Sequence, residues 1–345
     1  MRRLHIGKYF PPHRGGMETF LRDLITQQIS NGDDVIALVH STEKRLFDKV
    51  DSDPEKFSVR RCARWFNLAF IPISPLFGWS LWRAMQKFKP QIIHCHMPNI
   101  SVFWLLVLPR KKTVHITIHW QSDVLPSRYS LILKIFHSIY QIFERLMLSR
   151  CNEVLVSSVP YLDSSKTLQD FLPKCRVEPL FIDEKRIPDK YLSAVQPQKV
   201  AGEGPRLLCV GRLTYYKSFD TAIKSSALLP NCQLKIIGAG QEHKKLSNLI
   251  QSENLTSRVV LLGEVSEEEL WRNYAWCDVL CLPSIERTES FGLVILEAAV
   301  FGKPSIVADT PGSGMSWIVR QVIPKGLCFR AGDPNDLARQ IRANF

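Results

Sequence analysis

Short apolar runs rich in β-branched residues alternate along the chain with longer stretches whose apolar positions recur at helical spacing. In the first half, RLHIGKY, DVIALVH, QIIHCH, TVHITIH and EVLVSS predict strands, and Met17–Asn31, Trp79–Phe88 and Leu131–Ser149 predict the helices between them. Near-continuous apolar strands separated by helices suit a parallel sheet covered on both faces. The pattern then breaks. DEKRIPDKYLSAVQPQKVAGEGP, residues 183–205, is polar and carries three prolines and two glycines, the composition of a linker. It restarts in RLLCVGRL, QLKIIGAG, RVVLLGEV, VLCLPS and PSIVAD, with helical segments filling the gaps. The expected fold is therefore α/β, with two Rossmann-like doubly wound domains at 1–182 and 205–345 and a linker at 183–204. Such domains in tandem are expected to leave a cleft at the carboxyl ends of their strands, where open α/β sheets bind ligands. The final stretch, GDPNDLARQIRANF, opens like a helix capped by Asp333 or Asn335 and stops about two turns in.

Composition narrows the class. The 345 residues are 45% apolar and 23% charged, which supports a sizeable core and argues against disorder. The net charge of +12 is uneven: residues 1–180 carry 25 Lys/Arg against 15 Asp/Glu. A basic front half suits phosphates, nucleic acid or an anionic membrane surface. The cations are not interleaved with aromatics in a nucleic-acid module, so no nucleic-acid partner is expected. Nine cysteines lack zinc-like spacing, Cys277 and Cys281 included, which fits a reducing cytosol and predicts no metal site. The opening MRRLHIGKYFPPHRGG has no apolar core for a signal peptide, and no run reaches membrane-spanning length. The expectation is a cytoplasmic protein whose membrane contact, on the inner face, is peripheral.

Five segments carry candidate chemistry. In PPHRGGMETFLRDL, Gly15 and Gly16 stand where the first strand turns into a helix, so the backbone can approach an anion at the helix start. The segment is not GxGxxG, and a plain tight turn explains it equally well. In VGRLTYYKSFD, Arg212 and Lys217 follow a strand and could clamp a diphosphate, or be two solvated cations. In IIGAGQE, Gly238 and Gly240 end another strand, usually a sign of a turn. ESFGLVILE sets Ser290, Phe291 and Gly292 before a helix starting near Leu293, with Glu289 in the loop, free to reach hydroxyls, and Glu297 amid apolar neighbours. A buried carboxylate needs partners, and ribose hydroxyls would serve. HITIHWQSDV offers His115, His119 and Asp123, with His119 suited to a polar contact with a reacting group; His94 and His96 read as loop and strand-end residues.

Together these residues resemble the family-4 group of retaining glycosyltransferases, which have two Rossmann-like domains in the GT-B arrangement. The similarity spans nearly the whole chain. It is most specific in ESFGLVILEAAVFGKPSIVADTPGSG, which looks like that group's E-x7-E motif, and GRL…K and GGMETF fall in the expected order. The resemblance implies that Gly15 and Gly16 lie against the donor diphosphate, that Arg212 and Lys217 neutralise it as it leaves, and that Glu297 holds the ribose. It implies that Glu289 contacts the donor sugar, that the amides of Phe291 and Gly292 border sugar and phosphate, and that Gly238 and Gly240 line the base pocket. His119 would sit near the transferred sugar. Some related transferases read WHSD there, which gives the slot to Gln121 instead. Configuration would be retained, by front-side attack of the acceptor hydroxyl, with no divalent metal and no cofactor beyond the nucleotide-sugar substrate. Family members usually continue past this chain's last residue, so either the chain is truncated or its cleft closure is expected to be weaker.

On the acceptor side, SLWRAMQKFKP and SRYSLILKIFHSIYQIFERLMLSR mix apolar, aromatic and basic residues at helical spacing. They suggest either core-facing helices or a face resting on anionic lipid, with a lipid-linked or glycan acceptor. TPGSGMSW resembles transferases of bacterial surface polysaccharide and lipopolysaccharide assembly, some of them mannosyltransferases, which suggests a UDP- or GDP-sugar donor such as GDP-mannose. A GT-B-like sugar-nucleotide epimerase and a truncated non-catalytic product are the alternatives.

Overall fold

The apolar runs fold as parallel strands in a computed structural model that describes residues 1–44, 46–52, 58–68, 71–109, 111–124, 131–193 and 203–345. The chain divides into two units, Met1–Asp183 and Glu184–Phe345.

In the first unit the strands are β1 Arg2–Ile6, β2 Asp34–Lys44, β3 Lys49–Ser52, β4 Ser58–Arg64, β5 Phe66–Leu68, β6 Ile71–Ile73, β7 Ile92–Met97, β8 His115–Trp120, β9 Glu153–Val156 and β10 Cys175–Val177. Among the described residues they form a sheet ordered β10-β9-β8-β7-β1-β2-β4-β3 and a separate β5-β6 hairpin. Only β3 runs antiparallel in the large sheet. The order turns back between β1 and β7, the topological switch point of a doubly wound fold.

Alternation along the strands sends side chains to two different layers. Leu4, Ile93 and Ile116 meet Phe77, Leu81, Leu105, Met147 and Leu148 from the helix Phe77–Phe88, the 3-10 helix Ile100–Leu106 and the helix Leu131–Arg150. On the other face Ala37 and Val39 pack with Leu21 and Ile25 of the helix Gly16–Ser30.

The second unit contains β11 Arg206–Val210, β12 Gln233–Ile237, β13 Val259–Gly263, β14 Val279–Leu282, β15 Ser305–Asp309 and β16 Leu327–Arg330. Their order is β13-β12-β11-β14-β15-β16, the Rossmann arrangement with its switch point between β11 and β14. Helices Phe219–Ala227, His243–Ser252 and Pro334–Asn344 share its core with Leu207, Leu234 and Ile306.

Three features depart from the expectations. The front of the expected linker is folded into the second unit, with Ile187 and Tyr191 buried; residues 194–202 of that segment lie outside the described residues. Strands β3, β4, β5, β6, β10 and β16 were not among the apolar runs. The last helix spans 11 residues, with Asp333 as its cap, accepting from the amides of Asn335 and Asp336 at 3.0 and 3.1 Å.

Candidate active site

In the second unit the segments leaving β11 and β14 meet at the switch point, where the Ile285 amide donates to the Tyr216 carbonyl at 2.8 Å. Lys217 Nζ lies 2.6 Å from Glu289 Oε2, and both side chains are largely buried. Gly211 makes room for that amine: at φ +153°, a Cβ added there would stand 3.1 Å from Lys217 Nζ. Arg212, by contrast, is exposed, and its guanidinium forms no ion pair among the described residues. Three hydroxyls of the same segments, Thr214 Oγ1, Ser284 Oγ and Thr288 Oγ1, are buried with no partner among the described residues. A buried unpartnered hydroxyl costs about 1–3 kcal/mol, and such costs gather where a ligand supplies the missing bond. Ammonium, guanidinium, carboxylate and open hydroxyls together suit a ligand that is both anionic and polyhydroxylated. The sequence placed Glu289 in a loop, free to reach hydroxyls; the structure ties it to Lys217 instead.

Gly238 and Gly240 have a more local explanation. The turn after β12 lies directly against the turn after β11, with amides of Gly211 and Leu213 donating to Ile237 and Ala239 carbonyls, both at 2.9 Å. A Cβ on Gly238 would fall 1.9 Å from the Gly211 carbonyl oxygen, and one on Gly240 would fall 2.3 Å from that of Leu213. Both glycines shape the segment that presents Arg212 and Lys217. Gly238→Ala meets that overlap and an unfavourable φ of +136°, so denaturant titration is expected to show a loss of about 3 kcal/mol or more in the second unit.

The loop before Glu297 is held by the TPGSG segment that follows β15. Thr310 Oγ1 donates to the Ser284 carbonyl at 2.7 Å, Ser313 Oγ to that of Glu289 at 2.5 Å, and the Gly314 amide to that of Ser290 at 2.8 Å. Phe291 is buried, Gly292 takes φ +79° at the helix cap, and Leu293 and Ile295 anchor the helix Leu293–Val300 in the core. Glu297, on this helix, is buried as the apolar context required. Its partners are Arg186 Nη2 at 2.5 Å and the Tyr274 hydroxyl, which donates at 2.7 Å. Burial first, and then the Glu297 charge, hold the Tyr274 hydroxyl well above its ordinary pKa, so it stays a donor. The Arg186 guanidinium also lies over the Trp271 ring, 4.9 Å from its centre. Sequence reasoning missed Arg186 because its segment reads as a linker. It missed Tyr274 because nothing in the helix Glu267–Trp276 marks that position as special.

The remaining candidates lie in the first unit. Gly15 precedes the helix Gly16–Ser30, whose first turn carries the buried Glu18. A Cβ on Gly15 would come within 2.2 Å of Glu18 Oε2, so the missing side chain gives room to a carboxylate that complements the helix dipole. Gly16 is exposed at the helix start.

His119 belongs to a stack of four histidines on β1, β7 and β8, on the face covered by that helix. Register sets His5 beside His94 and His96 beside His119, with ring centres 4.5 and 4.6 Å apart. His5 Nδ1 meets His96 Nε2 at 3.1 Å and His94 Nδ1 meets His119 Nε2 at 3.0 Å. Gln28 Oε1 accepts from His5 Nε2 at 2.8 Å, and Arg3 approaches His94 Nε2 at 3.3 Å. Burial is the leading cause that lowers all four pKa values, to about 4 for His5 and about 3 for His119, so the rings are neutral. With Arg3 donating, the network assigns a proton to His94 Nδ1 and hence one to His119 Nδ1. His94 and His96 are therefore buried strand residues, not loop or strand-end polar groups. His119 and Gln121, the two claimants to one slot, line a single cavity of about 20 Å³ with Phe20 and Ser157. Both amide atoms of Gln121 lack a partner among the described residues. His115 pairs with Glu153 at 3.4 Å, and Asp123 accepts from Trp120 Nε1 at 2.8 Å, so both are accounted for by packing. Among the described residues no His, Cys, Asp or Glu cluster is arranged to hold a metal.

Two sequence families divide the chain as the fold does: Glycosyltransferase Family 4 matches residues 14–186 and Glycosyl transferases group 1 matches residues 194–344. The chain belongs to glycosyltransferase family 4, a hexosyltransferase-type enzyme built on the two Rossmann-like units of the GT-B fold. It is 25% identical over 329 residues to O-antigen chain mannosyltransferase C of Escherichia coli, covering 92% of this chain and 82% of that protein. Its fold matches sucrose-phosphate synthase of Thermosynechococcus elongatus with a TM-score of 0.77, at 21% identity, over 99% of this chain and 89% of that one. Anabaena Alr3699/HepE, solved with UDP-glucose, matches with a TM-score of 0.72, at 16% identity, over 99% and 89%.

Proposed function

We propose that this glycosyltransferase moves a sugar, with retention of configuration, from a UDP- or GDP-sugar to a glycan or lipid-linked acceptor during synthesis of a cell-surface polysaccharide. The observation that carries this reading is the Lys217–Glu289 pair beside exposed Arg212 and three unpartnered hydroxyls at the switch point of the second unit. Departure of the nucleotide leaves negative charge on the diphosphate. Arg212 and Lys217 stabilise it electrostatically, together with the amides of Ser290, Phe291 and Gly292 and the helix start at Leu293. This leaves no step that calls for a divalent metal. As the diphosphate draws on Lys217, the Glu289 carboxylate turns to hydroxyls of the donor sugar. Glu297, held by Arg186 and Tyr274, accepts from the ribose. The mannosyltransferase relative makes GDP-mannose the first donor to test, and the UDP-glucose complex of a protein with this fold makes UDP-glucose the second.

The test is a panel of UDP- and GDP-sugars incubated with lipid and glycan acceptor extracts, with the product's anomeric proton coupling read by NMR. One donor is expected to give a product with the donor's own anomeric configuration. An inverted product would reject retention. Conversion of a sugar nucleotide to its epimer with no acceptor would reject transfer.

A further inference from the structure

We infer that a cavity between the sheet and one helix of the first unit binds a small soluble metabolite that carries a phosphate group. It is separate from the donor chemistry, because every residue that lines it lies between residues 36 and 88. The cavity has a volume of about 280 Å³. Its floor is strand: Ile36 and Leu38 of β2 stand opposite Ser58 and Arg60 of β4 in the parallel register. Alternation sends these four side chains to one face, the face on which Leu38 packs with Phe77 and Leu81. The helix Phe77–Phe88 forms the wall and contributes Arg83 and Lys87, one turn apart.

Charge identifies the ligand. Arg60 is half-buried, Arg83 and Lys87 are exposed, and none of the three forms an ion pair among the described residues. No carboxylate lines the cavity. The neighbouring sequence has none to recruit, since Lys56 to Ser122 holds ten Lys/Arg and no Asp or Glu. Like charges four residues apart on a helix repel, and Arg60 adds a third cation to the same space. The result is an uncompensated positive potential that a bound anion relieves. An arginine fork pairs with two oxygens of one phosphate, and an ammonium adds a point charge. The Ser58 hydroxyl can donate a further bond.

Size and lining extend the assignment beyond a bare ion. A cavity of this volume approaches the range that takes small organic ligands. Leu38, Ala84 and Phe88 give it an apolar side, against which a compact uncharged body such as a sugar ring can lie. Place in the fold separates it from a substrate site. Ile36 and Ser58 stand at the amino ends of β2 and β4, whereas open parallel sheets hold their substrates at the carboxyl ends. The ligand is therefore not the sugar donor, and its binding stabilises the first unit.

Calorimetric titration and hydrogen exchange on the full chain, at fixed ionic strength, test this. Glucose 6-phosphate is expected to bind saturably and more tightly than inorganic phosphate, while glucose gives no binding. Bound glucose 6-phosphate should slow exchange in peptides spanning 58–64 and 77–88 and leave 206–345 unchanged. Arg60→Gln and Arg83→Gln should each weaken its binding by about tenfold or more, the scale of a charge-assisted hydrogen bond. Both variants should keep the parent's melting temperature in phosphate-free buffer, which shows that they fold. Equal affinity in the parent and both variants overturns the proposal, and so does protection confined to 206–345. Retention on phosphatidylglycerol vesicles with no binding of either soluble phosphate overturns it as well.

Discussion

Lys217→Met is expected to lower sugar transfer by about a thousandfold, the scale of removing one preorganised charge from a transition state. It also strips Glu289 of its 2.6 Å partner. A largely buried carboxylate left unpaired costs about 3 kcal/mol, so the melting temperature should fall too. The two effects separate in Lys217→Met with Glu289→Gln, where a neutral pair replaces the ionic one. That double variant is expected to regain most of the stability and to stay inactive. If Lys217 only braced the fold, the double variant would be as active as Glu289→Gln alone, which keeps the ammonium. Steady-state transfer assayed below each variant's melting temperature decides between the two.

Acidification is expected to unfold residues 1–183 before residues 184–345. Five buried histidines of the first unit, His5, His40, His94, His96 and His119, are held neutral, in each case chiefly by burial. Their folded pKa values lie below the unfolded value of about 6.5. Between those limits the unfolded chain binds more protons, so stability rises with pH. The contribution is complete above pH 6.5 and drains away as pH falls toward about 4 for His5 and about 3 for His40 and His119. At pH 5 each such histidine costs about 2 kcal/mol, a large sum against a domain stability of about 5–15 kcal/mol. Glu144 acts in the opposite sense, since its pKa is raised to about 7, and it offsets about one histidine. The second unit has a single histidine, His243, which is exposed. Hydrogen exchange at pH 5, followed peptide by peptide, should show the first unit losing protection while the second keeps it. Equal loss in both units would contradict the account.

What the sequence disclosed follows from how each feature is encoded. Central parallel strands such as β1, β7, β11 and β12 are apolar on both faces, so they stand out as continuous runs. β4, SVRRCAR, lies toward the sheet edge, where Arg60 and Arg61 point to opposite faces and stay half-buried, and its few apolar positions make no run. Glu297 was legible because a carboxylate in LVILEAAV has to be buried. Its partners were not legible, since Arg186 sits in a polar stretch whose burial depends on the helix Glu267–Trp276 packing nearby. Lys217 and Glu289 come from segments after β11 and β14, which are neighbours only once the strand order is known. The histidine stack shows the same limit. HCH on one strand implies a shared face, but its union with His5 and His119 depends on β1 and β8 flanking β7. Gly238 and Gly240 were conspicuous in sequence, and backbone packing accounts for them.

The central claim is that Arg212 and Lys217 receive a nucleotide's diphosphate. Arg212 is exposed and forms no ion pair among the described residues, so Arg212→Ala should leave the fold intact. Calorimetric titration of UDP and of GDP into parent and variant tests the claim most directly. One nucleotide is expected to bind the parent saturably and the Arg212→Ala protein about tenfold or more weaker, the scale of a charge-assisted hydrogen bond. Identical affinity in the two proteins, or no binding of either nucleotide to the parent, would contradict it.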